Sequence, residues 1–393
     1  MKRQGQLLQQ IADLNNLYEA FYKAQKGKLS KHYVCAYKKQ LQQNLQRLQY
    51  QIISGTIETG NYHTFTIYDP KKRLICTTPF PQRVLHHALM NICHASFEKH
   101  QIATSFASRP GKGTYAALDK AREYHRHYRW FLKLDVCKYF ESIDHAILKQ
   151  QLHRTFKDRA LLLMFERIIG SYSTAADKSL PIGNLTSQYF ANHYLSVADH
   201  YLKEVLRIPA YIRYMDDMVL WHHDKEALLQ IGYRFQEYLA KELQLALKPF
   251  CLNESRKGLP FLGYLLFPGS VRLARRSKKR FIQKSLRYDR CLQTGSWSQK
   301  QFANHTMPLV AFTQYANAKE FRKNVYRTMV ASAEQGHQSW VRTVSFVAGA
   351  GTTTPRTVGR LIGTTTLPTT GTTILASAWF TSRSSKAKSD DCL

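Results

Sequence analysis

The sequence predicts an α+β protein, because helical and strand-like hydrophobic patterns both occur in it. Leu41, Leu45 and Leu48 recur at helical spacing. Tyr62–Ile75 instead alternates apolar and polar residues, as a half-buried strand pair does. Apolar runs on both sides of Tyr214–Asp217 indicate a second strand pair. With 393 residues, the chain is long enough to bury a large core and to form more than one subdomain.

The other elements can be taken in chain order. Residues 6–55, rich in Leu, Gln and Lys, predict two helices within an N-terminal helical segment at residues 1–60. The first strand pair is expected to turn at Asp69–Lys72, and a helix is expected around Val84–Leu89. Ser105–Thr114 is a glycine-rich basic loop before another helix. Since this loop lacks the spacing of a P-loop, it does not imply nucleotide hydrolysis.

The most informative feature is the pair of adjacent acids Asp216 and Asp217. Apolar runs at residues 210–212 and 218–221 flank the pair, which predicts a β-hairpin with both acids at its turn, although the turn residues are unusual for one. Adjacent side chains on a strand point to opposite faces, so a turn is the simplest way to expose both carboxylates. The plain alternative is a polar hairpin tip without a catalytic role.

A third acid, Asp135, ends the strand-like run of residues 131–134. An acid at a strand end beside an acidic hairpin is the arrangement that binds two divalent ions, which clamp the attacking and leaving oxygens of a phosphoryl transfer. Three carboxylates suffice, because Mg²⁺ takes its remaining ligands from water and substrate phosphates. We therefore predict that Asp135, Asp216 and Asp217 are catalytic and hold two Mg²⁺ ions, and we count Val136 among the metal-binding residues.

The charge of the chain points to a phosphate-rich partner. Lys and Arg number 57 against 27 Asp and Glu, a formal net charge of +30. The excess is spread over several segments and is interleaved with Tyr and Phe, which is typical of a nucleic-acid-binding protein. A merely soluble basic surface is the alternative.

The expected compartment is the cytoplasm. The 7 cysteines are scattered without a C-x-x-C pair, which favours reduced thiols over zinc ligands. No run is long and apolar enough to span a bilayer, and the polar start Met1–Gly5 does not resemble a signal peptide. We therefore expect no membrane partner.

Four blocks of sequence resemble successive motifs of the reverse transcriptase palm in both order and spacing. They are Leu134–Phe140, Pro181–Gln188, Tyr214–Asp217 and Pro260–Tyr264. The resemblance covers roughly residues 62–264 and implies a right-hand polymerase fold with fingers, an antiparallel-sheet palm and a helical thumb. It implies four regions, which are an N-terminal helical segment packing on the fingers (1–60), fingers and palm (61–265), a basic helical thumb (266–337) and a Thr-rich tail (338–393).

The resemblance also implies roles for individual residues. Arg73 matches the residue that grips the triphosphate of the incoming nucleotide, and Phe140 matches the steric gate that selects deoxynucleotides. An ordinary exposed Arg and a plain core Phe are the alternatives. Ile182 and Gln188 belong to the nucleotide pocket. The residues expected at the primer and template are Arg109, Lys112, Lys248, Gly263, Arg275, Arg276, Lys278 and Lys279. Gly263 is expected in a tight turn whatever the function.

The segment Leu273–Arg290 predicts a helix with one packed face and one basic face. Phe281, Ile282 and Leu286 are expected on the packed face. The basic face would follow the phosphate backbone of the template and primer. A solvated helix without a nucleic-acid contact is the alternative.

One departure from the common pattern narrows the resemblance. Most reverse transcriptases follow the turn at the nucleotide pocket with Gln-Gly, whereas this chain has Ile182–Gln188 in an Ile-Gly-x-x-x-Ser-Gln pattern. This variant is similar to the reverse transcriptases of diversity-generating retroelements, which are bacterial or phage-encoded. The resemblance implies copying of a template-repeat RNA with misincorporation at adenine, and a small basic accessory protein as partner. Residues such as Leu14, Leu17 and Phe21 could form part of its docking face or simply cover the fingers, and we favour the second interpretation.

The tail has a composition of its own. From Ser339 onward threonine is frequent, for example at Thr352–Thr354 and Thr364–Thr366, and no core-forming pattern is present. Threonine codons (ACN) read one base earlier become NAC, so repeated ACA becomes the asparagine codon AAC. In that frame Val347–Thr354 can spell Arg-Gly-Gly-Ser-Trp-Asn-Asn-Asn. We interpret the tail as an out-of-frame passage through an adenine-rich template repeat. A chance Thr-rich linker is the alternative.

Two other functions stay open at this point. The first is a faithful bacterial reverse transcriptase of the retron or group II intron type. The second is a catalytically idle nucleic-acid-binding protein that retains the palm, against which the intact Asp135, Asp216 and Asp217 argue. On the main interpretation, the substrates are template RNA, a cDNA or primer strand and deoxynucleoside triphosphates.

Overall fold

Helices and antiparallel strands alternate along residues 4–68 and 72–333, which are the residues that the computed structural model describes. The helices are α1 (Leu8–Ala12), α2 (Leu14–Gln25), α3 (His32–Lys39), α4 (Leu41–Ser54), α5 (Phe80–Lys99), α6 (Thr114–His127), α7 (Tyr139–Ser142), α8 (His145–Thr155), α9 (Arg159–Gly170), α10 (Leu185–His200), α11 (Lys225–Leu243), α12 (Arg275–Gln293), α13 (Gln299–Gln314) and α14 (Lys319–Ala333). The strands are β1 (His63–Ile67), β2 (Arg73–Thr77), β3 (Trp130–Asp135), β4 (Ala210–Tyr214), β5 (Asp217–His222), β6 (Cys251–Glu254), β7 (Leu259–Phe261), β8 (Tyr264–Leu266) and β9 (Val271–Leu273). These elements confirm the predicted α+β class.

The chain divides into two units. Of the described residues, the first unit holds 4–68, 72–120 and 130–252, and the second holds 121–129 and 253–333. The tail predicted at residues 338–393 and most of the turn predicted at Asp69–Lys72 lie outside the described residues. No helix within the described ranges is long and apolar enough to cross a membrane.

The sheet that carries the acids lies in the first unit. Its strand order is β4-β5-β3-β6, and β5 pairs antiparallel with both β4 and β3. Phe131, Leu132, Leu220 and Trp221 are fully buried, so the strands have covered faces on both sides. Strands that are buried on both faces form a rigid base for whatever lies at their ends.

The N-terminal segment forms more helices than the sequence predicted. Within residues 6–55 the structure has α1 to α4, where two helices were expected. The side chain of Asp13 begins α2 by accepting hydrogen bonds from the backbone N–H groups of Asn15 and Asn16. Leu17 and Phe21 on α2 are fully buried, and α2 packs against α5. These two side chains are therefore covered by the chain itself and are not accessible to a partner, whereas Leu14 is half-buried.

The first predicted hairpin and the elements after it are present. β1 and β2 pair antiparallel from His63 opposite Thr77 to Ile67 opposite Arg73. Helix α5 contains the helix predicted around Val84–Leu89, and the loop that starts at Ser105 leads into α6. Arg73 thus begins a strand of a two-stranded hairpin.

The second unit combines the small sheet β7-β8-β9 with helices α12 to α14. The turn between β7 and β8 has Leu262 at φ 47° and Gly263 at φ 90°. Positive φ at both central residues is typical of a type I′ hairpin turn, which is the tight turn expected at Gly263. A Cβ on Gly263 would also approach the Phe312 ring to 3.0 Å.

The packed face of α12 differs from the prediction. Phe281 is buried as expected, but Ile282 is 37% exposed and Leu286 is 51% exposed. Ser285 and Asp289 are buried instead. The inner face therefore follows the four-residue spacing that starts at Phe281, and it includes polar side chains that a hydrophobic pattern does not reveal.

Candidate active site

The adjacent acids lie at a tight hairpin turn, as predicted. β4 ends at Tyr214, Met215 and Asp216 form the turn, and Asp217 begins β5. Met215 has φ 57°, which is rare for a residue with a side chain. A positive φ at the first of the two central residues is the geometry of a type II′ turn, which suits the right-handed twist of the strands.

The sheet register brings the third acid to the same place. Asp135 is the last residue of β3 and lies directly opposite Asp217 on β5. Side chains at directly opposite positions of an antiparallel pair lie close together on one face. Asp135, which is distant in sequence from Asp216 and Asp217, is therefore brought to the same end of the central strands.

Two lysines balance the charge of these acids. Nζ of Lys133 lies 2.9 Å from Oδ1 and 3.2 Å from Oδ2 of Asp217, and the contact with Oδ2 is a hydrogen bond. Nζ of Lys248 donates to Oδ2 of Asp135 at 2.6 Å, and the backbone N–H of Lys248 donates to the Asp135 carbonyl at 2.9 Å. Each of these two carboxylates therefore faces a position where a cation is stable.

Burial makes the two turn acids harder to ionise. It raises the pKa of Asp217 to about 6, while the Lys133 ammonium opposes this rise. Burial also raises the pKa of Asp216, and the charge of Asp135 acts in the same direction. Arg73 and Lys248 lower the pKa of Asp216. Asp216 therefore lies within electrostatic reach of the residue predicted to grip the triphosphate.

The donor chemistry at this strand end fits hard divalent cations. Asp135 and Asp217 remain partly exposed, with side-chain exposures of 37% and 26%, so a ligand can reach them. Among residues 4–68 and 72–333, however, no three or more His, Cys, Asp and Glu side chains are gathered into a ready cage. Such a site suits Mg²⁺, which binds one or two carboxylates and takes further ligands from phosphates and water. Val136 is buried and could offer only its backbone carbonyl.

The predicted nucleotide pocket is attached to the hairpin that carries Arg73. The backbone N–H of Cys76 on β2 donates to the Ile182 carbonyl at 2.8 Å. Gly183 has φ 125°, and a Cβ there would lie 2.7 Å from the Cys76 carbonyl oxygen. This backbone contact is therefore possible only with glycine next to Ile182.

The other two residues predicted for the nucleotide pocket, Phe140 and Gln188, lie on helices α7 and α10. Phe140 lies on α7 and is half-buried, and its carbonyl accepts the backbone N–H of Leu180 at 2.8 Å. Gln188 lies in the first turns of α10, where its Oε1 accepts a hydrogen bond from the hydroxyl of Ser108 at 3.0 Å. Phe140 is thus hydrogen-bonded to the segment that leads into the Ile182–Gly183 turn, and Gln188 is hydrogen-bonded to the glycine-rich loop.

Two residues expected to bind nucleic acid, Arg109 and Lys112, have hydrogen-bond partners on α5 and around the glycine-rich loop. Nε of Arg109 donates to Glu98 at 2.9 Å, and one terminal nitrogen donates to the carbonyls of Ile102 and Ser105. Nζ of Lys112 donates to the Ala103 carbonyl at 2.7 Å. The Arg109 side chain is only 8% exposed. Its geometry supports a role in holding the loop.

The remaining predicted contacts lie in the second unit. Arg275, Arg276, Lys278 and Lys279 form the first turns of α12, and all four are exposed. The hydroxyl of Ser277, between them, donates to the Gly263 carbonyl at 2.6 Å. The basic end of α12 is thus attached to the β7–β8 turn within this unit.

Comparison with known proteins identifies the family. Residues 67–266, just over half of the chain, match the model of the reverse transcriptases, described as RNA-dependent DNA polymerases. The chain belongs to the reverse transcriptase family. All the acids described above lie within the matched residues.

Two curated proteins are similar to this reverse transcriptase. Nuclear intron maturase 1, mitochondrial, of Arabidopsis thaliana is 30% identical over 87 residues, which are 22% of this chain and 12% of the maturase. The putative COX1/OXI3 intron 2 protein of Saccharomyces cerevisiae is 23% identical over 155 residues, which are 37% of this chain and 17% of that protein. The likeness thus spans less than a fifth of either relative.

Sequence reasoning missed two residues of the reverse transcriptase site. Lys133 lies two residues before Asp135 on β3, and strand periodicity could have placed both on one face. Arg213, just before the Tyr214–Asp217 turn, is completely buried and forms an ion pair with Asp199 at 2.6 Å. An Arg inside an apolar run was the available signal, because a buried charge needs a partner.

Proposed function

We propose that this protein is an RNA-directed DNA polymerase that copies a template-repeat RNA into cDNA for mutagenic retrohoming in a diversity-generating retroelement. The polymerase part is carried by one observation, the pairing of Asp135 with Asp217 beside the Asp216 turn. The family match supports it. The right-hand layout of fingers, palm and thumb is part of the same proposal.

In this proposal Asp135, Asp216 and Asp217 hold two divalent ions, and Mg²⁺ is the expected species. Such ions lower the pKa of the primer 3′-hydroxyl and neutralise charge on the triphosphate. Lys133 opposes the rise that burial causes in the pKa of Asp217, and the ammonium of Lys248 pairs with the Asp135 carboxylate at 2.6 Å.

The nucleotide is bound by residues around the pocket turn. Arg73 contacts the triphosphate, since a guanidinium offers paired donors to phosphate oxygens. Phe140 blocks a ribose 2′-hydroxyl, while Ile182 and Gln188 line the pocket. The link from Cys76 to Ile182 supports this assignment, because it couples the strand of Arg73 to the pocket turn.

Replacing Asp216 by Asn tests the polymerase proposal. Several kcal/mol of transition-state stabilisation depend on the metal-binding carboxylates, so primer extension on an RNA template should fall by roughly 10³-fold. Asp224→Asn is the matched control, because Asp224 is an exposed cap of α11 and Asn also caps helices well. The control should extend primers like the parent. Full activity in Asp216→Asn would refute the assignment.

The retroelement type rests on the Ile182–Gln188 motif and on the composition of the tail. A faithful intron-type enzyme is the second candidate, and the names of the two relatives, an intron maturase and an intron protein, favour it. Sequencing of the cDNA separates the two candidates. Errors concentrated at template adenines support the retroelement, whereas errors spread evenly over four bases support the intron type.

Nucleic-acid and protein partners complete the proposal. The exposed cations at the start of α12 contact the template and primer backbone, in keeping with the +30 charge of the chain. Arg109, Lys112, Lys248 and Gly263 are candidates for the same strands. An accessory protein is expected from the resemblance alone, and the buried Leu17 and Phe21 direct the search for its docking site elsewhere. Retained RNA binding without polymerisation by the parent would instead indicate an idle nucleic-acid-binding protein.

A further inference from the structure

A completely buried arginine lies directly under the turn that carries the acids. Arg213 precedes Tyr214 on β4, and neither its side chain nor that of Asp199 on α10 is exposed. Nε of Arg213 donates to Asp199 Oδ1 at 2.8 Å, and one terminal nitrogen donates to Asp199 Oδ2 at 2.6 Å. The hydroxyl of Tyr211 also donates to Asp199, at 2.7 Å. The pair is thus bidentate and shielded from water, which is the strong form of this interaction.

The remaining donors of Arg213 hold the turn and its surroundings. One terminal nitrogen donates to Asn192 Oδ1 at 3.0 Å and to the Met215 carbonyl at 3.2 Å. The other also donates to Gln101 Oε1 at 3.1 Å. All five N–H groups of the guanidinium therefore have acceptors. One of these acceptors is the backbone of the turn itself.

Met215 needs such a restraint. Its φ of 57° is a sparsely populated conformation for a residue with a side chain. Strained conformations persist only where the surrounding structure over-determines them. The Arg213 contact fixes the carbonyl that directly precedes Asp216, so it restrains the backbone from which the Asp216 side chain projects.

The backbone of Arg213 is anchored as well. Its N–H donates to the Thr104 carbonyl at 3.0 Å, and its carbonyl accepts the N–H of Phe106 at 2.9 Å. Nδ2 of Asn192 donates to the Ala107 carbonyl at 2.8 Å. Arg213 therefore ties the acidic turn to helix α10 and to the start of the glycine-rich loop.

We infer that Arg213, held in place by Asp199, is a positioning residue that sets the Met215–Asp216 backbone for divalent-cation binding. The inference rests on the proposed polymerase function. Lysine cannot replace Arg213, because it offers three donors from one point and cannot serve Asp199 and the Met215 carbonyl in the same geometry.

Four variants of the full chain test this role. Asp199→Asn leaves the Arg213 guanidinium without its counter-charge. Arg213→Lys keeps the positive charge but loses the planar guanidinium that donates to Asp199 and to the Met215 carbonyl at the same time. The double variant Asp199→Asn with Arg213→Gln removes both charges, so no unpaired buried charge remains. Leu45→Ala, in the buried face of α4, is a control for loss of stability alone.

Two measurements are made for each variant, at a temperature at which melting curves show it to be folded. The first is Mn²⁺ affinity by electron paramagnetic resonance with template–primer present, and the second is the Mg²⁺ concentration for half-maximal primer extension. Partners that orient metal ligands typically contribute 10- to 100-fold in affinity, so we expect both values to weaken by roughly 10-fold in the three variants of the pair. Leu45→Ala should lower Tm and leave both values unchanged.

The double variant decides between positioning and plain structural support. It should recover Tm relative to Asp199→Asn while its Mn²⁺ affinity stays low, because the donor to the Met215 carbonyl is still missing. If the double variant recovered Mn²⁺ affinity as well as Tm, the inference would be overturned. The same conclusion would follow if Arg213→Lys bound Mn²⁺ as tightly as the parent. A parent protein that does not extend primers, or does so without a divalent cation, would instead refute the proposed function.

Discussion

At the scale of single residues, two of the three acids, Asp135 and Asp217, form ion pairs with lysines of the chain itself. Lys133 and Lys248 each pair with one carboxylate, although burial alone would favour the protonated form of Asp217. A divalent ion that binds these oxygens therefore competes with an ammonium group. On the proposed function, the phosphates of the substrate would add ligands that help the ion in this competition.

Gly183 gives a prediction at this scale. Gly183→Ala should raise the KM for deoxynucleotides by roughly tenfold, because a backbone strained there by about 1–3 kcal/mol must shift against β2. A Cβ would lie 2.7 Å from the Cys76 carbonyl, on the strand that begins at Arg73. Steady-state primer extension at varied nucleotide concentration measures the effect.

Gly170→Ala is the control for this substitution. Gly170 is the last residue of α9, and a Cβ there would meet no atom within 4 Å. Alanine also favours a helix over glycine, so this variant should keep the parent KM. An unchanged KM in Gly183→Ala would show that the contact between β2 and the pocket turn does not position Arg73.

Single residues also show how far the sequence could predict the site. The register that sets Asp135 opposite Asp217 follows from one strand that ends in an acid and a second that begins with one, and the placement of Lys133 follows from strand alternation. The pairing of Lys248 with Asp135 spans 113 positions and depends on how the chain returns after α11. Likewise, no local sequence pattern reveals that Arg109 pairs with Glu98.

At the scale of elements, the sequence predicts strands correctly where hydrophobic residues alternate or form paired runs. It predicts helix ends poorly where no proline or glycine marks them. Both hairpins have clear alternation or paired apolar runs, and both are present. The sequence predicts only two helices in the N-terminal segment because two of the three breaks between its helices, those at Asp13 and Gln40, carry neither proline nor glycine. On α12, Phe281 and Ile282 are adjacent, so the sequence could not decide which one defines the inner face.

The inner face of α12 gives a prediction about pH. Asp289 is buried, its Oδ2 accepts a hydrogen bond from Gln293 at 2.9 Å, and its Oδ1 has no hydrogen-bond partner within the described chain. Burial raises the pKa of Asp289 to about 6, so the fold favours the protonated form. The stability that this acid contributes is full below its ordinary pKa of 3.8 and is lost as the pH rises through 6.

The Tm of Asp289→Asn should therefore rise relative to the Tm of the parent as the pH increases from about 4 to about 7, since asparagine stays neutral throughout. Melting curves of the full chain at several pH values measure this difference. Glu320→Gln on α14 is the control, because Lys323 lowers the pKa of the exposed Glu320 and the trend should have the opposite sign. A Tm difference for Asp289→Asn that does not change with pH would show that this carboxyl ionises normally in the fold.

At the scale of the whole molecule, the acids and the basic helix belong to different units. The acids and the residues predicted to bind the nucleotide lie in the first unit, whereas Gly263 and the cations of α12 lie in the second. The sequence placed a boundary near residue 265 because the family motifs end there. The two compact units divide after Leu252, and hydrogen bonds from Tyr264 to Phe312 and from Ser277 to Gly263 join the small sheet β7-β8-β9 to helices α12 and α13.

The last prediction separates the protein from its gene, and it concerns residues beyond about Ser339, which lie outside the described ranges. If this segment is an out-of-frame passage through the template repeat, its RNA is needed and its polypeptide is not. A stop codon at Gln338, with the RNA otherwise preserved, should leave primer extension within about twofold of the parent, because the acids and α12 all precede it.

Synonymous recoding that removes the suspected AAC triplets should leave the protein unchanged and abolish adenine mutagenesis of the target gene. An inactive truncation together with harmless recoding would show that the tail acts as protein, and that the threonine-rich composition has a cause other than the second reading frame.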